Sequence, residues 1–228
     1  MTSLLEKVIA VIAPFRCISC SVYNNDVLCN VCLSGLPKGF AFVCVVCQKA
    51  VHNGQTCSPC RKRTSLQRVW SAAEYKGVIA EVIKKLKFER AAKAADVLAD
   101  CILPLLPPLP ENMYIVPVPT SPQRIRQRGY DQSVLIAQAL ARQLQRPVGA
   151  FLRRQTTTRQ LGATRDQRQQ QMQKAFEVVT NPGTPLLLID DVMTTGATLR
   201  AAAGVLEQTG SPQLWAAVAA YHPPSHQR

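Results

Sequence analysis

Residues 186–198 read LLLIDDVMTTGAT, and their types suit the chemistry of holding a phosphorylated sugar. Four apolar residues in a row are what a strand buried on both faces of a parallel sheet requires. Asp190 and Asp191 follow where that strand should end, the usual ligand position in open α/β sheets. Carboxylates there can accept hydrogen bonds from sugar hydroxyls. Thr194, Thr195, Gly196, Ala197 and Thr198 then form a small-residue turn that can aim backbone N–H groups at an anion. The helix that follows adds the positive end of its dipole at the same place. Together these features describe a receptor for ribose 5-phosphate. The competing reading is that two acids merely cap a helix, since acids favour helix N-termini by themselves. Neither G-x-x-x-x-G-K-[ST] nor G-x-G-x-x-G occurs in the chain.

A second chemistry lies upstream. Eight of the nine cysteines fall into four C-x-x-C pairs, Cys17/Cys20, Cys29/Cys32, Cys44/Cys47 and Cys57/Cys60. Two-residue spacing puts both sulfurs on one side of a tight turn, the knuckle that zinc needs, and two knuckles complete one closed tetrahedral site. Two structural zinc sites are therefore expected. Pairing the first knuckle with the second and the third with the fourth is simplest, and gaps of eight and nine residues allow a short hairpin in each. A cross-braced pairing fits the spacing as well. A redox C-x-x-C is the rival, but a thioredoxin-like motif comes once and not four times. Disulfides belong to exported chains, and nothing marks this one for export. Cys101 stands alone in a predicted helix and reads as a small buried hydrophobe. His52, His222 and His226 form no evident triad or metal cluster, although His52 could replace a cysteine in a zinc site.

These sites need elements to position them. A length of 228 residues suits a small cysteine-rich unit at 1–65 and a medium one at 66–228. No apolar run approaches the roughly eighteen residues of a membrane span. The N-terminal LLEKVIAVIAPF holds Glu6 and Lys7, lacks an A-x-A-like cleavage site, and reads as a short amphipathic helix. A cytoplasmic protein without a membrane span is expected. In the larger unit VWSAAEY (69–75) predicts a strand. GVIAEVIKKLKF predicts a helix with Val78, Ile79, Val82, Ile83 and Leu86 on one face and the lysines opposite. A second helix runs to Pro104, and MYIVPVP (113–119) is a strand whose prolines suit its C-terminal end. TSPQRIRQRGYDQS reads as an arginine-rich polar loop, leading into a helix from about Gln132 to Gln145 that Asp131 or Ser133 could cap. PVGAFLRR is a short strand. The polar, glutamine-rich stretch at roughly 155–175 is a candidate flap over a site. After the phosphate turn come a helix from Leu199 to about Gln208, Gly210 as its stop, and the strand QLWAAVAAY, with a frayed HPPSHQR tail. Strands alternating with helices call for a parallel α/β sheet.

The formal net charge is +13, and two tetrathiolate zinc sites would lower it to about +9. Residues 124–174 alone hold eleven Lys/Arg against two acids, and Arg61, Lys62 and Arg63 add a basic cluster after the last knuckle. Such charge would draw a highly anionic sugar phosphate or the backbone of single-stranded DNA; the bland alternative is a solubilising surface. Few aromatics accompany the charges, so base stacking is not evident.

The segment at 186–198 resembles the phosphoribosyl-pyrophosphate (PRPP) motif of type I phosphoribosyltransferases. The four knuckles, VPVPTSPQRIRQRGYDQS and IDDVMTTGAT in combination resemble the ComF family of competence proteins. Asp131 stands where that family usually has asparagine. The resemblance implies a phosphoribosyltransferase-like parallel sheet flanked by helices, preceded by a double zinc ribbon. It gives Asp190 and Asp191 to the ribose hydroxyls and residues 194–198 to the 5′-phosphate. Arg124, Arg126 and Arg128 would meet pyrophosphate or a nucleic-acid backbone, residues 155–175 would be the hood, and magnesium would arrive with PRPP. Implied partners are PRPP or a related sugar phosphate, single-stranded DNA and proteins of the DNA-uptake machinery. Two functions follow, a factor in natural transformation or a metabolic transferase moving phosphoribosyl from PRPP to a nitrogen nucleophile. A third, without catalysis, is a zinc-ribbon adaptor for protein contacts.

Overall fold

Apolar runs too continuous for a half-exposed strand build the centre of the molecule. The computed structural model describes residues 16–24, 27–36, 42–88, 93–155, 175–180 and 183–223. Strands β1 (Arg68–Glu74), β2 (Tyr114–Pro117), β5 (Leu186–Met193) and β6 (Leu214–Tyr221) form one sheet in the order β1-β6-β5-β2. Every pairing in it is parallel. All eight residues of β6 are buried, as a strand covered on both faces requires.

Helices cover the two faces. On one, α2 (Gly77–Phe88), α3 (Ala94–Ile102) and α5 (Gln132–Leu144) seat Ile83, Leu98 and Leu140 against Ile115, Leu187, Ile189 and Ala217. On the other, α6 (Ala197–Glu207) seats Leu199, Ala202 and Leu206 against Val116, Leu186, Leu188 and Val218. Neighbouring strands β2 and β5 thus send their chains to helices on opposite faces. Their carboxyl ends are therefore the topological switch point, the place where open α/β sheets take ligands.

Three expectations need correction. The acidic pair does not end its strand: β5 continues through Asp190 and Asp191 to Met193, paired with β6 as Asp190↔Val218 and Val192↔Ala220. On its other side pairing with β2 stops at Pro117↔Ile189, so both acids lie beyond the neighbouring strand. The arginine-rich stretch is not a loop but a helix, α4 (Pro122–Arg128). Pro122 opens it, and Gly129 at φ 85° closes it by donating its N–H to the Ile125 carbonyl. Finally, β3 (Leu152–Arg154) joins β4 (Phe176–Val178) in a separate antiparallel ribbon. The two strands flank the stretch read as a flap. Positions 156–174 of that stretch, the N-terminal LLEKVIAVIAPF and residues 224–228 of the tail lie outside the described residues.

The cysteine knuckles fold against this layer. A short helix α1 (Asn30–Ser34) follows Cys29, and a 3-10 turn (Ser58–Arg63) carries Cys60. Cys17, Leu28 and Cys32 share the core of the α2 face, while Val45 shares the core of the α6 face. Among the described residues no helix is long and apolar enough to cross a membrane.

Candidate functional site

Two adjacent carboxylates repel, and the surroundings manage that repulsion differently for each. Asp190 Oδ1 accepts from Ser133 Oγ at 3.0 Å and from the Asp191 N–H at 2.9 Å. Burial and the Asp191 charge push its carboxyl up to about 7, well above the usual carboxylate range. Asp191 is held by Lys87, whose Nζ lies 2.5 Å from Oδ2, and its Oδ1 accepts the Val192 N–H at 2.7 Å. Lys87 was expected on the solvent side of its helix. It is instead only one-fifth exposed, lying one turn after the buried Ile83 at the edge of the apolar face. The Tyr130 hydroxyl donates to the Leu86 carbonyl, tying the R-G-Y turn to this end of α2.

Asp131, not Ser133, caps α5: its Oδ1 accepts the Ser133 N–H at 3.0 Å and its Oδ2 accepts the Thr120 N–H at 2.8 Å. The cap therefore places Ser133 under Asp190 and fixes the chain leaving β2. Burial raises the Asp131 carboxyl too. Its role was legible only as a cap.

The turn after β5 stands beside the acids. Thr194 and Thr195 are exposed and Gly196 is buried at φ 70°. Among the described residues, the N–H groups of Thr194, Thr195 and Gly196 donate to no backbone carbonyl. They remain available to an anion, as do the orphan amides of the first turn of α6, where Ala197 and Thr198 lie.

Helix α4 separates the three arginines read as a group. A rotation of about 100° per residue leaves Arg124 and Arg128 on one face and turns Arg126 away. Arg124 is exposed, whereas Arg128 Nη1 donates to Gln132 Oε1 at 2.7 Å. Arg154 of β3 joins them unforeseen. It donates to the Pro119 carbonyl at 3.3 Å, lies over the Phe176 ring, and is close enough to Asp190, Asp131 and Arg124 to feel their charges. Burial lowers its pKa. A depression of about 330 Å³ lined by Gln138, Arg142 and Arg146 is toward the far end of α5, its centre roughly 14 Å along that helix from Ser133.

The cysteines assemble as two groups, Cys17, Cys20, Cys29 and Cys32, and Cys44, Cys47, Cys57 and Cys60, with all sulfurs of a group within 4.8 Å of one another. Sequential pairing holds, and the cross-braced alternative is excluded. Sulfur separations of 3.7 Å for Cys20–Cys29 and 3.6 Å for Cys47–Cys57 match the roughly 3.8 Å edge of a tetrahedron with zinc–sulfur bonds of about 2.3 Å. The thiols cannot all ionise together without a cation: in the second group Cys57 is pushed up to about 12 by its hydrogen bond with Cys60 and by burial. Both groups could hold zinc.

No family model matches the chain. It is 30% identical over 222 residues to the DNA utilization protein YhgH of Salmonella typhi, spanning 82% of this chain and 95% of that protein. It is 28% identical over 219 residues to competence protein F of Haemophilus influenzae, spanning 88% and 94%. To competence protein ComFC of Bacillus subtilis it is 27% identical over 197 residues, spanning 82% and 80%. With identity at this level along nearly the full length of such proteins, and both cysteine groups assembled ahead of a parallel sheet, the chain belongs to the ComF family.

Proposed function

We propose that this chain assists the uptake or processing of single-stranded DNA in natural transformation, through a phosphoribosyltransferase-like unit that binds PRPP or a related sugar phosphate. Residues 66–228 are that unit and residues 1–65 a double zinc ribbon. The observation that carries the reading is the pairing of Asp190 and Asp191, beyond the end of β2, with a turn in which, among the described residues, the N–H groups of Thr194, Thr195 and Gly196 donate to no backbone carbonyl. Asp190 keeps Oδ2 for a ribose hydroxyl, since both of its observed partners use Oδ1. Thr194, Thr195, Gly196, Ala197 and Thr198 take the 5′-phosphate. Arg124 and Arg154 supply positive charge on the side where pyrophosphate would lie, and Arg128 stands on the same helix face as Arg124. Magnesium, when bound with PRPP, would screen the pyrophosphate charge. As a transferase site, the acids would orient the ribose while the arginines receive the charge of a departing pyrophosphate. The relatives named for competence and DNA utilization support the wider role.

Calorimetry tests the sugar-phosphate reading. Asp190→Ala combined with Asp191→Ala is expected to abolish binding of PRPP and of ribose 5-phosphate; unchanged affinity would remove the ribose assignment. Single-stranded DNA affinity is expected to fall steeply with salt, with a shallower slope once Arg124, Arg126 and Arg128 are alanine. A flat salt response rejects the electrostatic account. Deleting the gene should abolish transformation while labelled DNA still reaches the cell surface. Normal transformation with a new purine or pyrimidine requirement would favour the metabolic transferase instead.

A further inference from the structure

The third knuckle does more than bind metal, because the residues between and after its cysteines lie against the phosphate turn. Val45, between Cys44 and Cys47, is 1% exposed and packs with Met193, Leu199 and Tyr221. A Cβ added to Gly196 would come within 2.6 Å of both Val45 Cγ2 and the Val45 carbonyl oxygen. Gln48, at φ 60°, closes the same knuckle by donating its N–H to the Cys44 carbonyl. Its side chain then reaches across: Nε2 donates to the Thr194 carbonyl at 3.1 Å and Oε1 accepts from the Tyr221 hydroxyl at 3.1 Å. One five-residue turn therefore touches the first residue of the phosphate turn, its buried glycine and the end of β6. Arg200, one turn into α6, is near enough to Cys44 and Cys60 to feel their charge.

The first cysteine group has a different neighbour. Cys17, Leu28 and Cys32 pack in the core of the α2 face, and the Cβ position of Gly35 reaches Val78 at the start of that helix. Among the described residues no hydrogen bond joins this group to positions 190–198.

We propose that Val45 and Gln48 are positioning residues for the sugar-phosphate site, so that metal on Cys44, Cys47, Cys57 and Cys60 sets the shape of the phosphate turn, while metal on the first group does not. This rests on the reading of residues 194–198 as the phosphate cradle. The physical step is short. The knuckle conformation depends on its metal, the placement of Val45 and Gln48 depends on the knuckle, and Gly196 has no room to move toward them.

The full-length chain allows a differential test read three ways: zinc content, amide hydrogen exchange across 194–198, and calorimetry with ribose 5-phosphate. The unmodified protein is expected to hold two zinc ions, one per cysteine group. Cys47→Ser with Cys57→Ser should lose one ion, speed exchange across the turn and weaken ribose 5-phosphate binding by about tenfold or more. Cys20→Ser with Cys29→Ser should also lose one ion but leave exchange there and affinity within about twofold. Gln48→Gly, which suits the left-handed backbone, should keep both ions and weaken binding about three- to tenfold, the usual worth of a hydrogen bond. Equal effects of the two cysteine pairs, or a turn whose exchange ignores both the second ion and Gln48, would overturn the proposal. If the unmodified protein binds no ribose 5-phosphate, the cradle reading fails, and exchange alone still decides whether knuckle and turn are coupled.

Discussion

Replacing Asp190 with asparagine is expected to raise the melting temperature by about 5 °C near pH 8 and, in the same protein, to weaken ribose 5-phosphate binding about tenfold or more. The two effects have one cause. Burial and the Asp191 charge hold the Asp190 carboxyl up near 7, whereas an unfolded aspartate titrates near about 4. Between those values the unfolded chain has released a proton that the native state still binds, so stability falls as pH rises through that window. Above it both states are ionised and the full penalty remains. Asparagine stays neutral at every pH. It is nearly isosteric, and its oxygen can accept from both the Ser133 hydroxyl and the Asp191 N–H, so nothing buried loses its partner.

The gain near pH 8 should be on the order of 2 kcal/mol, less than the full separation of the two pKa values would give, because the residue is half-buried. It should shrink as pH approaches 5. Binding moves the other way, since a neutral amide replaces a charged acceptor for the ribose hydroxyl. The phosphate of the ligand also titrates near about 6. Comparing the pH dependence of binding in both proteins separates the two groups: the slope that vanishes in the variant belongs to Asp190. Thermal melts at several pH values, with calorimetry alongside, supply both halves. A variant that melts lower near pH 8, or binds as the parent does, removes Asp190 from the role given to it.

What the sequence could disclose follows the range of the interaction responsible. Local signals held. The apolar run at 186–189 became a strand buried on both faces, the C-x-x-C spacing brought each adjacent pair of knuckles together, and Asp131 capped the helix it precedes. Where two local signals conflicted, composition misled. Ser121–Pro122 and Gly129 are start and stop signals for a helix, yet the polar run between them reads as loop, and α4 forms there. The strand β5 runs on through two acids because pairing on the β6 side alone is enough to keep them extended, while β2 stops short of them. Contacts across long stretches of chain left no local trace. Lys87 lies at the margin of an apolar face, and only the fold brings Asp191 to it. Gln48 meets Thr194 across 146 residues, with nothing in either neighbourhood to announce it.

The same knuckle also crowds Gly196, so Gly196→Ala is expected to damage the turn at 194–198. The backbone there is left-handed, at φ 70°, which costs an ordinary residue about 1–2 kcal/mol. The added carbon would also meet the Val45 carbonyl oxygen at 2.6 Å, a backbone atom that cannot swing aside as a side-chain tip could. Relief requires the turn or the knuckle to move. A loss of about 3 kcal/mol is expected, lowering the melting temperature by about 6–12 °C, together with loss of measurable ribose 5-phosphate binding. Gly204, eight residues on and inside α6, supplies the control. It has a helical backbone and nothing within 4 Å of its Cβ position, so alanine there should stabilise by about 0.5–1 kcal/mol and leave binding alone. The same substitution thus carries opposite signs at the cap and inside the helix. The left-handed backbone alone accounts for about 1–2 kcal/mol of the loss, so the remainder requires the turn to be wedged against the knuckle, and a Gly196→Ala protein that melts and binds like its parent would mean that it is not.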